Sequence, residues 1–336
     1  MSRRTAALGA VAAIAALAMS AAMVAADTPR ISFQIATGST TGTFFPVGEA
    51  IAGLISHPPG VNRCEAANVC GPAGLIVSAR TSDGTMDNLL SVNDGGVESG
   101  LAQSDVIAAA VKGAGLFKAK GKQSHVRVIA SLFSEEMHLV VRAKANIKTV
   151  SDLKGKRVSL GLAGSGSGFT AREILAAYRV PEARLKLVPL DTPGAIALMK
   201  QGKLDAFFAV GGVPLAGVGD LLSSRSARLL PITGPVRDRL AKSEPSLEIA
   251  TITYPGQEPV ATISTRALWI VRDSVPDNLV YGITRALFSP ANREALSASH
   301  PSAREIGLNT AALMPPAALH PGAARFYAEV SRAAQR

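Results

Sequence analysis

From residue 31 onward, apolar and polar positions alternate along Ile31-Ser-Phe-Gln-Ile-Ala36, the period of a half-buried strand. A run of small polar residues follows, Thr37-Gly-Ser-Thr-Thr-Gly-Thr43, and apolar positions then recur at helical spacing from Phe44 to Ile55. The same order of strand, Gly/Ser/Thr loop and helix start returns further on. Arg157-Val-Ser-Leu-Gly161 is the strand, Ala163-Gly-Ser-Gly-Ser-Gly168 the loop, and Phe169 to Tyr178 the helix. Two more junctions share the grammar with other residues. Leu75 to Ala79 leads through Thr81-Ser-Asp-Gly-Thr85 into a helix at Met86 to Val92, and Val97 to Ala102 leads through Gln103-Ser-Asp105 into Val106 to Lys112. Strands alternating with helices predict an α/β chain whose mostly parallel sheets carry helices on both faces. Ligands of such folds sit outside the carboxyl ends of the strands, so these four loops are expected to line one crevice.

Two apolar strands, His138 to Arg142 and Ala267 to Arg272, read as connectors between halves. If both cross, residues 27–140 and 262–336 form one lobe, and 141–261 the other. The C-terminal part is then mostly helical, at Pro276 to Phe288, Asn292 to Ser299 and Pro321 onward.

Residues 1–26 stand apart from this pattern. Arg3 and Arg4 precede an uncharged, Ala-rich run from Thr5 to Ala26, and Val24-Ala-Ala26 places small residues where a signal peptidase cuts. A membrane anchor is the alternative, because the run approaches the roughly 20 residues that span a bilayer. Its weakly apolar Ala content and the cleavage site favour a cleaved secretory signal, an exported chain beginning at Asp27, and a periplasmic location. The later uncharged stretch Ala206 to Gly219 is short and broken by Gly and Pro, so no other span is expected.

A chain of 336 residues has room for about two domains. Hydrophobic residues at 47% and charged residues at 18% exclude a disordered chain. Aromatics at 4%, with one Trp, remove the stacking platform that single-stranded nucleic acid needs, so no nucleic-acid partner is expected. The net charge of +10 is spread along the chain, apart from Lys118-Ala-Lys-Gly-Lys122 and Lys154-Gly-Lys-Arg157. Both runs read as solvated surface, and a positive field also raises the encounter rate with anions. Cys64 and Cys70, isolated and close in an oxidising compartment, read as a disulfide adding roughly 2 kcal/mol. The five histidines show no paired ligand spacing, so neither a metal nor any other cofactor is expected.

Gly/Ser/Thr loops before helices hold anions because free backbone N–H groups and the helix dipole face the ligand, although Ser and Thr are also ordinary caps. Their duplication at matching places in two α/β units favours binding. Other glycine-rich readings fail on detail. Neither loop carries the Lys of a phosphate loop, Phe169 stands where the dinucleotide pattern wants Gly, and Ala163 stands where a nucleophile elbow wants Gly. Asp205 reads as fixing the strand Ala206 to Val210, Gly211-Gly-Val-Pro214 as backbone reaching the cleft, and Trp269 as core.

Five stretches together resemble the TAXI-type solute receptors of tripartite ATP-independent periplasmic (TRAP) transporters. They are Ile35-Ala-Thr-Gly-Ser-Thr-Thr-Gly-Thr-Phe-Phe-Pro-Val-Gly48, Gly84-Thr-Met-Asp-Asn88, Gln103-Ser-Asp105, Asp152-Leu-Lys-Gly-Lys-Arg-Val158 running into Gly164-Ser-Gly166, and His320-Pro-Gly-Ala-Ala-Arg-Phe-Tyr-Ala-Glu329. The resemblance implies a two-lobed, type II-like periplasmic binding protein with crossing hinge strands, no enzyme activity, and a monomeric state. It would close on a small anionic organic solute, such as an acidic amino acid or dicarboxylate, and deliver it to membrane permease subunits. By motif, the implied ligand contacts are Thr37, Gly38, Ser39, Thr43 and Phe44 on the first loop, with Thr85 and Asn88 on the second. Gln103, Ser104 and Asp105 follow on the third, and Ser165, Gly166, Ser167 and Gly168 on the fourth. The aromatic pair is Phe44-Phe45 where the family often carries Tyr, so two hydroxyls are missing. Arg142 and Arg172 are the candidate carboxylate clamps. Competing readings are a binding protein of an ATP-driven importer, a ligand-presenting sensory receptor, and an exported hydrolase using a Ser of a Gly-rich loop.

Overall fold

The computed structural model describes residues 30–66, 68–311 and 315–335; the expected export signal at 1–26 lies outside the described residues. Ten strands form one mixed sheet: β1 (Ile31–Ala36), β2 (Leu75–Arg80), β3 (Ser99–Gln103), β4 (Val126–Arg142), β5 (Arg157–Ser159), β6 (Lys186–Leu187), β7 (Ala206–Gly211), β8 (Ala227–Leu229), β9 (Glu248–Ile252) and β10 (Val260–Arg272). Their order is β2-β1-β3-β10-β4-β7-β5-β6, with β8 beside β4 and β9 beside β10. Within each half the outer strands are parallel, β2-β1-β3 on one side and β7-β5-β6 on the other. The two long strands β4 and β10 run antiparallel through the middle. The halves meet at Glu136 and Ser264, which pair with one another. On the far side Glu136 also pairs with Gly211, and Ser264 with Glu248.

The crossing strands are much longer than the connectors read from the sequence. The apolar pattern of β4 is interrupted by Ser131, Ser134, Glu135 and Glu136, and the strand continues through them, paired with β10 apart from register shifts at Leu132 and Ile129. The interruption marks a stretch of strand that faces polar surroundings, not a strand end.

Among the described residues eleven helices flank the sheet. Those that matter for the site are α1 (Phe44–Ile55), α2 (Thr85–Asp94), α3 (Ser104–Lys112), α4 (Gly166–Ala177) and α5 (Thr192–Lys200). The others are α6 (Val218–Ser223), α7 (Pro235–Ser243), α8 (Asp277–Leu287), α9 (Arg293–Ser299), α10 (Leu308–Ala311) and α11 (Pro321–Ala334). Helix α4 starts three residues before the expected Phe169, because Ser165 Oγ accepts from Gly168 N at 3.1 Å and draws Gly166-Ser-Gly into the first turn. At α11 the imidazole of buried His320 accepts from Gly322 N at 3.2 Å, so the C-terminal His-Pro-Gly stretch is a helix cap.

Alternating side chains of each strand feed cores on both sheet faces. In the first half, Phe33, Ile35, Leu101 and Trp269 pack on α1, α8 and α11. On the opposite face, Leu268 and Ile270 pack on α2 and α3. In the second half, Leu139 and Phe208 face α4, whereas their neighbours Val140 and Phe207 face α5 and α6. Each fully buried Leu, Ile or Phe contributes about 1.5–3 kcal/mol relative to leaving it exposed, and both halves contain such residues. Along β4 the packing passes from the first half's core at Phe133 to the second's at Met137, and along β10 from Ala267 to Ile263. Outside the cores, Cys64 and Cys70 form a disulfide. Asp205 pairs with Arg142 and Arg157 at the start of β7, and Trp269 is fully buried.

Candidate functional site

A cavity of about 310 Å³ lies between the halves, near the lower end of the roughly 300–1,000 Å³ range of ligand pockets. Five helices begin on it. Their N-caps are Thr43 for α1, Gly84 for α2, Gln103 for α3, Ser165 for α4 and Asp191 for α5, and all five residues line the cavity. The strands are short and end on this side, so each polar loop delivers its helix start to the same place. Ser165 and Asp191 spend their side chains on capping, bonding Gly168 N and Gly194 N. The starts of α1, α2 and α3 carry no side-chain cap. At α2 the Met86 N–H is donated to Gly164 O, and at α3 the Asp105 N–H is donated to Thr265 Oγ1, so the start of α1 is the least engaged of the three and the most open to negative charge in the cavity.

Nine of the fourteen motif residues line this cavity. From the first half these are Gly38, Ser39, Thr43, Phe44, Thr85 and Gln103, and from the second Ser165, Gly166 and Ser167. The other five do not. Thr37 is buried and donates its hydroxyl to Arg80 O at 2.6 Å, tying β1 to β2. Asn88 is fully buried beneath the loop, where its amide donates to Thr37 O at 2.6 Å and Leu101 O at 2.7 Å. Ser104 Oγ lies 3.0 Å from Thr265 Oγ1, and Asp105 accepts from Thr170 and Thr265. Gly168 gives its N–H to Ser165 and its carbonyl to Arg172. These residues hold the loops and the halves in place.

Direct bonds cross the cleft. Met86 N donates to Gly164 O at 3.0 Å, and Gly212 N donates to Thr43 Oγ1 at 3.0 Å. Gly166 sits so close to Gln103 and Thr85 that a Cβ there would overlap Gln103 Oε1. The backbone of Gly211-Gly-Val-Pro214 thus does reach the cleft, as its position at a strand end suggests.

Neither candidate arginine reaches the cavity. Arg142 bonds Asp205 at 2.8 Å, and Arg172 bonds Glu182 at 3.1 Å. Among the described residues lining the cavity, the charged ones are Asp83, Glu135 and Asp191, all acidic. Glu135 comes from the crossing stretch of β4, is 3% exposed, and leaves Oε2 without a hydrogen-bond partner. Burial pushes its carboxyl well above the usual carboxylate range, with Glu136 and Asp105 adding to the effect. Glu136 is pushed to about 7, again chiefly by burial. Sequence reasoning missed Glu135; its signal is a pair of adjacent acids inside an otherwise apolar strand. Asp191-Thr-Pro193 likewise carries a helix-start signature that was legible.

The hydroxyl of Ser165 donates to Leu162 O at 2.7 Å while accepting from Gly168 N, the arrangement of a cap rather than a nucleophile held by a base. His138 is fully buried between Tyr254 and Glu136 O, and burial lowers its imidazole to about 4. Among the described residues no group of three or more His, Cys, Asp or Glu is placed to hold a metal ion.

Two halves joined by crossing strands, with helix starts converging on the cavity between them, define the architecture of the two-lobed periplasmic binding proteins. The chain belongs to the NMT1-like family, whose model matches residues 35–330. The fold is shared with the periplasmic binding protein BugD, at 14% identity over 91% of this chain and 97% of that one, with a TM-score of 0.53. A protein from Bordetella bronchiseptica RB50 aligns at 16% identity over 89% of this chain and 98% of its own, with a TM-score of 0.54.

Proposed function

We propose that this chain is an exported solute receptor that captures a small carboxylate between its lobes and delivers it to a TRAP-type permease. The observation that carries the reading is the convergence of five helix N-termini on one small cavity, three of them without side-chain caps. Such termini present backbone N–H groups and positive dipole ends to an anion without any cationic side chain. The lobes expected as 27–140 with 262–336 and as 141–261 divide a few residues away from those bounds, at Glu136 and Ser264, because Met137, Leu139, Val140 and Ile263 pack in the second half's cores. The hinge is the stretch of β4 and β10 around Glu136 and Ser264, where strand pairing passes from one half to the other. The TAXI-like motifs support the permease assignment, and the Ala-rich segment before Asp27 supports export.

A thermal-shift screen of the refolded protein against amino acids, mono- and dicarboxylates and inorganic anions tests capture. A ligand at about 100 times its dissociation constant adds roughly 2.7 kcal/mol, a shift of several degrees. A sharp shift with a carboxylate is the expected result. No response from any carboxylate, with a response from another class, overturns it. Uptake of the identified solute into vesicles bearing the permease should persist without ATP, and an ATP requirement would place the chain with an importer of the other kind.

A further inference from the structure

The cavity has two electrical sides. Helix starts converge on it from both halves, with the start behind Thr43 the least engaged, and every charged side chain among its described lining residues is acidic. Two of the three acids are accounted for locally. Asp191 caps α5 through Gly194 N at 2.9 Å, and Asp83 is exposed. Glu135 is different: it comes from the crossing strand, it is buried, and its Oε2 has no partner. An acceptor buried without a donor is strongly unfavourable unless a ligand supplies one.

Building on the carboxylate reading proposed above, we infer that the ligand carries a protonated amine as well as a carboxylate, the ammonium seated on Glu135 and the carboxylate on the helix starts. A zwitterion of the α-amino acid type matches both sides at once. A dicarboxylate without an amine would bring two negative charges against Glu135 and meet no side-chain cation. Burial also raises the protonation tendency of Glu135, and an adjacent ammonium reverses that trend by favouring the ionised form. The ammonium therefore gains a charge-assisted bond in a site screened from water.

The test compares matched pairs on the refolded wild type by titration calorimetry at one pH: L-glutamate with glutarate, L-alanine with propionate, and L-leucine with 4-methylpentanoate. In at least one pair the amino acid should bind about 100-fold more tightly than its des-amino partner. Glu135→Gln keeps the size and hydrogen-bonding capacity of the side chain and removes the charge. It should weaken that amino acid about tenfold or more while leaving the des-amino partner within a few-fold, so that discrimination collapses. Equal or tighter binding of the des-amino partners by the wild type overturns the inference and leaves the carboxylate reading standing. Binding by neither member of any pair overturns both. Unchanged discrimination in Glu135→Gln removes Glu135 from the role. The wild-type ratios decide the ligand class even if the variant does not fold.

Discussion

Thr170 Oγ1 donates to Asp105 Oδ2 at 2.6 Å, so a buried carboxylate ties a helix of one half to a helix of the other. Its second oxygen accepts from Thr265 Oγ1 at 3.0 Å, which adds the crossing strand β10 to the same knot. Burial outweighs both hydroxyl bonds and holds the Asp105 carboxyl at about 6. Asp105 is therefore a strut between the halves, although its motif suggested a ligand contact.

That strut makes stability depend on pH in a definite direction. A carboxyl raised to about 6 takes up its proton more readily in the folded chain than in the unfolded one, so its stabilising contribution is present at acid pH and lost as pH rises through about 6. Buried Glu135 and Glu136 act in the same direction, and His138, lowered to about 4, acts in the opposite one. Comparison with Asp105→Asn isolates the one group. Between pH 7.5 and 5 the wild type should gain roughly 1 kcal/mol more than the variant, read by calorimetric melting at both values. Parallel pH profiles for the two proteins would rule this out.

Gly166 offers a way to separate folding from closure. It opens α4 on the second half and faces Gln103 and Thr85 on the first, where a Cβ would overlap the Gln103 amide. The backbone there is ordinary helix start, so Gly166→Val should leave the melting temperature of the unliganded protein within a few degrees. Ligand-induced stabilisation should disappear because the halves cannot meet. A variant that still shifts with the wild-type ligand would show that the contact is not needed for capture.

Much of the fold is legible in the chain because each helix start is announced by small polar residues, and each strand before it by apolar ones. What is not legible is which way those polar side chains point. Thr37 and Gly38 are neighbours in one motif, yet Thr37 bonds Arg80 O beneath the loop while Gly38 lines the cavity. Asp105 looks like a binding residue by type. Its partners Thr170 and Thr265 lie 65 and 160 residues away, and only the folded chain brings them together. Strand β4 hides its length for a related reason. Its polar residues Glu135 and Glu136 break the apolar pattern where the strand leaves one half for the other.

The bond from Gly212 N to Thr43 Oγ1 carries a second prediction about closure. Thr43 is an N-cap that makes no capping bond with its side chain and spends the hydroxyl on the opposite half. Thr43→Ser keeps the acceptor and should bind ligand as the wild type does. Thr43→Ala leaves the Gly212 N–H unmatched in the closed form, a cost of about 1–3 kcal/mol, and should weaken the ligand by roughly tenfold. Equal affinities for the Ser and Ala variants would mean that the bond does not contribute to the closed state.

Asp205 has the opposite electrostatics from Asp105 and should answer pH with the opposite sign. Two bonds from the Arg157 guanidinium, at 2.7 and 2.9 Å, and one from Arg142 at 2.8 Å hold its carboxyl far below the usual carboxylate range. The backbone N–H of Arg157 adds another at 3.0 Å, so one carboxylate joins β4, β5 and β7 away from the cavity. Its stability is present above the ordinary carboxylate pKa of about 4 and is lost as pH falls below it. Removing one partner of a fully buried charge network costs about 3–5 kcal/mol. Because the Arg157 side chain is 37% exposed, water screens the cluster and about 2 kcal/mol is the better figure for Asp205→Asn at pH 7. Denaturant melts should show that deficit at pH 7, shrinking progressively below pH 4. Ligand affinity should not change, since none of the three residues lines the cavity. A deficit that stayed constant into acid would show that the ion pairs are not its source.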